Sequence, residues 1–170
     1  MTVITPRRGS LLRRRVRRAS AAAALSLITL SVAACGVTVP TDPDGTLESV
    51  TGATMHVGVT PDPGLVVVTG DEPSGPLVDL VEGFAASIDT RIEWSAGAEE
   101  TLVGDLESGR IDLAIGGFTD QTPWADRAGI TRGYKNIEGS DGRTLVFLVP
   151  LGKNAFLSKL EAFLDQEVGS

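Results

Sequence analysis

The chain has 170 residues, with 22 acids, 15 Lys or Arg, one His and one Cys, for a formal net charge of −7. Seven of the bases are arginines between residues 7 and 18 and every acid follows Cys35, so residues 36–170 hold eight bases against 22 acids, a formal −14. That balance argues against nucleic acid and anionic lipid headgroups as partners of the folded part, and a single cysteine excludes a disulfide within the chain.

In chain order, the basic run Arg7 to Arg18 precedes an apolar stretch, Ala19 to Ala34, that is too short and alanine-rich for a membrane span. Val32-Ala33-Ala34-Cys35 then matches the lipobox of bacterial lipoproteins. The expectation is a signal peptide over 1–34 and a lipidated Cys35, palmitate included, on the extracytoplasmic face of the cell membrane. Two acyl chains suffice for stable anchoring. An ordinary secretory signal and a basic nucleic-acid-binding arm are the alternatives; the placement of the sole cysteine at the expected cleavage point favours the lipoprotein. Arg7-Arg8 and Arg17-Arg18 lack the full twin-arginine flanks, so the export route stays open.

Residues 35–54, rich in Thr, Pro, Asp and Gly without helical or strand period, read as a flexible tether. Residues 55–170 are enough for one small domain. Met55 to Thr60 reads as a strand, and Leu65 to Val68 as an extended piece in the loop that follows. Leu77, Leu80, Val81, Phe84, Ala85 and Ile88 have the spacing of a helix with one buried face, and Pro76 suits its first turn. Arg91 to Ser95 is a second strand, Ala98 to Ser108 a helix, Ile111 to Gly117 a third strand, and Thr144 to Val149 a fourth that is apolar enough to be central. Asn154 is a candidate N-cap for a last helix burying Phe156, Leu157, Leu160, Phe163 and Leu164. Such alternation predicts an α/β fold, a mainly parallel sheet of four to five strands with helices on both faces.

The most informative stretch is Leu106 to Tyr134. Ser108-Gly109 stop a helix, Ile111, Leu113 and Ile115 alternate into Gly116-Gly117, and a polar loop follows at the carboxyl end of that strand. Small ligands bind at such ends in open α/β sheets. Its order, L-x-x-G-x-x-D-L-A-I-G-G-x-T, then Thr-Pro, an Arg and T-R-x-Y, resembles the first lobe of extracytoplasmic solute-binding proteins of family 3, the amino-acid-type receptors of ABC importers. Glu72-Pro73-Ser74-Gly75 followed by Val78-Asp79-Leu80 is similar to the opening of that family's first helix.

The resemblance implies a periplasmic-binding-protein-like lobe and a small polar, amino-acid-like solute. Two departures accompany it. Only Lys135 to Arg143 stands where the family inserts a second lobe, and Trp124 falls where the family places its carboxylate-binding arginine, with Arg127 three residues on.

Candidate ligand contacts are Thr60, Asp62, Thr119, Asp120, Thr122, Trp124 and Arg127. Asp120 suits an amine or other cation. Beside each stands a structural role: Thr119, Asp120 and Thr122 as caps of a turn over 123–127, Trp124 as a lid on the core, Arg127 as a salt-bridge partner, and Asp62 as a turn residue between Pro61 and Pro63. His56 lies inside a strand, so no nucleophilic triad, catalytic residue, cofactor or metal site is expected. A dehydratase-like use of Asp120 with Asp126 or Glu72 is the least favoured reading. The leading one is a lipid-anchored solute-binding domain, weak or completed by a partner. Its alternative is an interaction subunit of a membrane transporter that uses the same face.

Overall fold

The computed structural model describes residues 45–70 and 72–169. Cys35, the signal peptide and the first part of the tether lie outside the described residues. Gly45 onwards differs from the expected spacer: Thr46–Val50 is a short helix, α1. Val50 is buried in the main core, and Ser49 Oγ donates to the Thr46 carbonyl at 2.9 Å. One apolar residue with a core to enter outweighs the spacer-like composition around it.

The remaining elements are β1 (Thr54–Val59), β2 (Val67–Thr69), β3 (Glu72–Ser74), α2 (Pro76–Ser87), β4 (Arg91–Ala96), α3 (Glu99–Glu107), β5 (Leu113–Ile115), β6 (Gly129–Ile130), β7 (Leu148–Val149) and α4 (Asn154–Glu167). The main sheet has the order β4-β1-β5-β7-β6. β4 and β5 flank β1 in parallel, whereas β7 is antiparallel to both β5 and β6. The expected mainly parallel sheet therefore carries one reversed strand, the returning one, and that strand is interior as its apolar composition predicts. β2 and β3 form a separate antiparallel ribbon. Pro73 is tolerated there because a two-stranded ribbon leaves outer edges that need no N–H.

Successive residues of each central strand go to opposite faces. Met55, Val57, Val59, Leu113, Ile115, Phe147 and Val149 enter one core with residues of α1, α2 and α4. Ala114, Val146 and Leu148 enter the other, with Leu102, Val103 and Leu106 of α3. Gly58 faces α3 so closely that a Cβ would overlap Leu102 and Ile111, which explains a glycine inside this strand. Phe84 anchors the larger core, with ring centroids 5.7 Å from both Phe156 and Phe163.

Two helix starts show how local chemistry sets boundaries. Pro76 occupies the first turn of α2, where its missing N–H costs nothing. Asn154 is the first residue of α4 rather than its N-cap; Lys153 holds that position and makes no side-chain cap. The left-handed turn at Gly152 (φ 81°) directs the chain into the helix one residue earlier than the composition suggests.

Candidate functional site

Because β4, β1 and β5 are parallel, their carboxyl ends lie together, and the ladder runs one step further. Gly97 N–H donates to the Val59 carbonyl and Thr60 N–H to the Ile115 carbonyl, both at 3.0 Å. Beyond this point Gly116 and Gly117 carry no side chain to hold their neighbours off. A Cβ on Gly116 would overlap the Thr60 side chain, and one on Gly117 the Asp62 carboxylate. The glycines thus let Thr60 and Asp62 lie directly against the end of β5.

Asp62 is held by its own loop. Its carbonyl accepts from the N–H groups of Leu65 (3.0 Å) and Val66 (2.9 Å), and its N–H donates to the Val66 carbonyl (3.0 Å). The backbone makes the turn that the flanking prolines announce, which leaves the carboxylate available. Both its oxygens accept from Arg143, at 2.8 Å and 2.9 Å, in a bidentate pair. Arg143 Nε also donates to the Ser140 carbonyl at 3.1 Å. The hydrogen bond to Asp62 raises the Arg143 pKa above its usual value. Thr119 bridges Leu145, and Asp120 N–H donates to the Thr144 carbonyl at 3.1 Å, which brings both residues beside Arg143. The Asp120 side chain is exposed. Thr60, Asp62, Thr119 and Asp120 are thus gathered at the strand ends.

Thr122 stays beside Thr119, whose carbonyl accepts its N–H at 2.9 Å, while Trp124 and Arg127 run along the flank of α3. The turn after Pro123 closes through Trp124, whose carbonyl accepts from Arg127 and Ala128 N–H at 2.9 Å. The Trp124 ring packs on the smaller core, and its Nε1 donates to Glu99 at 3.4 Å. Arg127 lies over that ring, 5.4 Å from its centroid, and grips the Glu107 carboxylate at 2.9 Å and 2.6 Å. That hydrogen bond lowers the Glu107 pKa and raises that of Arg127. Arg127 also lines a depression with Asp112, just before β5, and Pro150, just after β7, at the opposite end of these strands from Asp62. Thr122 Oγ1 is enclosed without a hydrogen-bond partner.

His56 is half exposed on β1, with Glu93 at 3.4 Å and Asp112 at 3.5 Å from its ring nitrogens. Glu72 sits in the β2–β3 ribbon and Asp126 is exposed in the 123–128 turn. Among the described residues no group of three or more His, Cys, Asp or Glu is placed to hold a metal ion.

Arg143 was not foreseen from the sequence. Its only signal there is position, a base directly before the apolar returning strand. Nothing local pairs it with an aspartate 81 residues away.

No family model matches the sequence, and no curated protein matches it. Solved structures do resemble the fold. An arginine-bound point mutant of domain 1 from TmArgBP aligns over 67% of this chain and 91% of its own, at 20% identity and a TM-score of 0.59. A truncated, arginine-bound arginine-binding protein from T. maritima aligns over 67% and 96%, at 13% identity and 0.58. A Salmonella typhimurium periplasmic binding protein described for high arginine specificity aligns over 69% and 94%, at 10% identity and 0.57. At these identities the likeness is one of architecture: the chain has the α/β fold of a single lobe of a solute-binding protein.

Proposed function

We propose that this protein is a lipid-anchored, extracytoplasmic solute-binding domain that meets a small polar solute at the carboxyl ends of β4, β1 and β5. The observation that carries the reading is the gathering of Thr60, Asp62, Thr119 and Asp120 around two bare glycines at those ends. Strand ends of this kind are where open α/β sheets place ligands. The fold likeness adds support, since the three similar structures named above are described as arginine-binding and one is an arginine-bound single domain.

One lobe covers about half of what good pockets enclose, which is 70–90% of a ligand's surface. A dissociation constant of about 0.1–1 mM follows, roughly −4 to −5.5 kcal/mol. A membrane partner, such as a transporter subunit, would supply the missing cover, and Cys35 would hold the domain at the bilayer beside it.

Calorimetric titration of the purified protein with amino acids and small amines tests the solute, beside a crosslinking pull-down from membranes. Saturable binding with a dissociation constant of about 0.1–1 mM is expected. Micromolar binding by the isolated monomer would contradict the need for a partner, and no binding with no crosslinked membrane protein would overturn the whole reading. Cys35→Ala should abolish labelling by a fatty-acid analogue; retained labelling would remove the anchor.

A further inference from the structure

We infer that Asp62 is a cation-recognition group whose own cation is built into the chain: Arg143 occupies it, and a small solute bearing a guanidinium or ammonium group that no carboxylate of its own neutralises enters by exchanging with Arg143. The inference rests on the strand ends being the solute face.

Geometry comes first. Both Asp62 oxygens are taken end-on by the two terminal nitrogens of Arg143. A free guanidinium would bind a carboxylate in the same way. The carboxylate lies against Gly117, where only hydrogen leaves room for it.

The two partners differ in how firmly they are seated. The Asp62 side chain is 18% exposed and the Arg143 side chain 34%, so the acid is the inner member and the base the outer. Asp62 belongs to a loop closed by three backbone hydrogen bonds between residues 62 and 66. Arg143 ends a loop whose preceding residues, Asp141 (φ 51°) and Gly142 (φ 79°), are exposed and left-handed. If the pair opens, the cation is the member that can turn out into water.

Exchange also avoids the main penalty of breaking such a pair. Removing one partner from a desolvated carboxylate leaves an uncompensated charge; replacing one cation by another does not. Asp120, exposed beside Thr144, adds a second negative charge to the face that opens. What the solute must overcome is the tethered competitor. Its apparent dissociation constant is the intrinsic one divided by the fraction of molecules in which Arg143 has left. For a partly exposed bidentate pair that fraction is on the order of one in ten.

The test is isothermal titration of L-arginine, guanidinium chloride and L-glutamine into the purified wild type, Arg143→Ala, Arg143→Gln, and Asp62→Asn combined with Arg143→Ala. Circular dichroism confirms the fold of each. Both single variants should bind arginine and guanidinium about tenfold more tightly than wild type, the double variant should lose that gain, and glutamine should be indifferent to Arg143. Two neutral replacements keep the test decisive if one of them folds poorly. Unchanged or weaker arginine binding in a folded Arg143 variant, with glutamine still bound, would overturn the exchange and leave the solute site standing. Absence of binding by every protein to all three probes would overturn both.

Discussion

Asp62 and Arg143, 81 positions apart, form a bidentate pair that ties the loop after β1 to the loop before β7. The same two loops touch again at Gly64 and Gly139, where a Cβ on Gly139 would overlap the Gly64 carbonyl oxygen. Gly139 has φ 77°, a left-handed conformation that costs other residues about 1–2 kcal/mol. Gly139→Ala should therefore destabilise the fold by at least about 1–2 kcal/mol and loosen the Asp62–Arg143 contact. Urea denaturation reads the first effect; a midpoint equal to wild type would show that the loops do not meet here.

Phe84 is fully buried between the rings of Phe156 and Phe163. Phe84→Ala should cost about 3–5 kcal/mol, because α2, α4 and the sheet cannot all close on the cavity. Chemical denaturation with an unchanged slope is the appropriate measure. A loss below about 1 kcal/mol would mean the larger core is not packed as described.

Tyr134 is the sole tyrosine and is buried, with its hydroxyl 3.3 Å from Asp165 Oδ1 and 3.4 Å from the Glu161 carbonyl. Burial first, and the Asp165 carboxylate second, push its pKa well above the ordinary value. The neutral phenol is thus favoured in the folded state. Its contribution to stability is complete below about pH 10, where the unfolded tyrosine begins to ionise, and is lost progressively as pH rises toward the folded value. Absorbance of the phenolate should stay silent until the protein unfolds, and Tyr134→Phe should flatten stability above about pH 10. Ordinary titration in the folded protein would contradict this placement.

Thr122 carries a hydroxyl that is enclosed without a partner. Thr122→Val keeps the shape and removes the unmet group, so stability should hold or rise by up to about 1 kcal/mol. The same variant separates the two roles considered for this residue. Because the hydroxyl is enclosed, solute affinity should not change if Thr122 is part of the turn alone; a fall in affinity with stability held would show that this turn opens to the ligand.

Much of the fold was legible because its signals are local. The 3.6-residue spacing of Leu77, Leu80, Val81, Phe84 and Ala85 marked α2, and alternation through Ile111, Leu113 and Ile115 marked β5 within two residues. The continuous apolar run over 145–149 is buried and ends in an interior strand as its composition suggests, although β5 and not this strand is the middle one of the five. β3 and α1 went unread because three or five polar-rich residues carry too little periodicity, and their placement depends on contacts made elsewhere. The geometry of the candidate site was legible only in part. Thr60, Asp62, Thr119 and Asp120 follow from strand ends, which a sequence can show. Arg143 does not, because a long-range ion pair leaves no spacing rule. The destinations of Trp124 and Arg127 were likewise set by Glu99 and Glu107 on α3, beyond the reach of any local pattern.

The central claim is that solute meets this domain at the carboxyl ends of β4, β1 and β5. Amide shift mapping by NMR on the isotope-labelled protein, titrated with L-arginine, tests it most directly. The account predicts saturable shifts concentrated at Thr60, Asp62, Gly116, Gly117, Thr119 and Asp120, with Glu107 and Arg127 little changed. Shifts centred on Glu107, Arg127 and Asp112 would place the functional surface at the opposite end of the strands and contradict it.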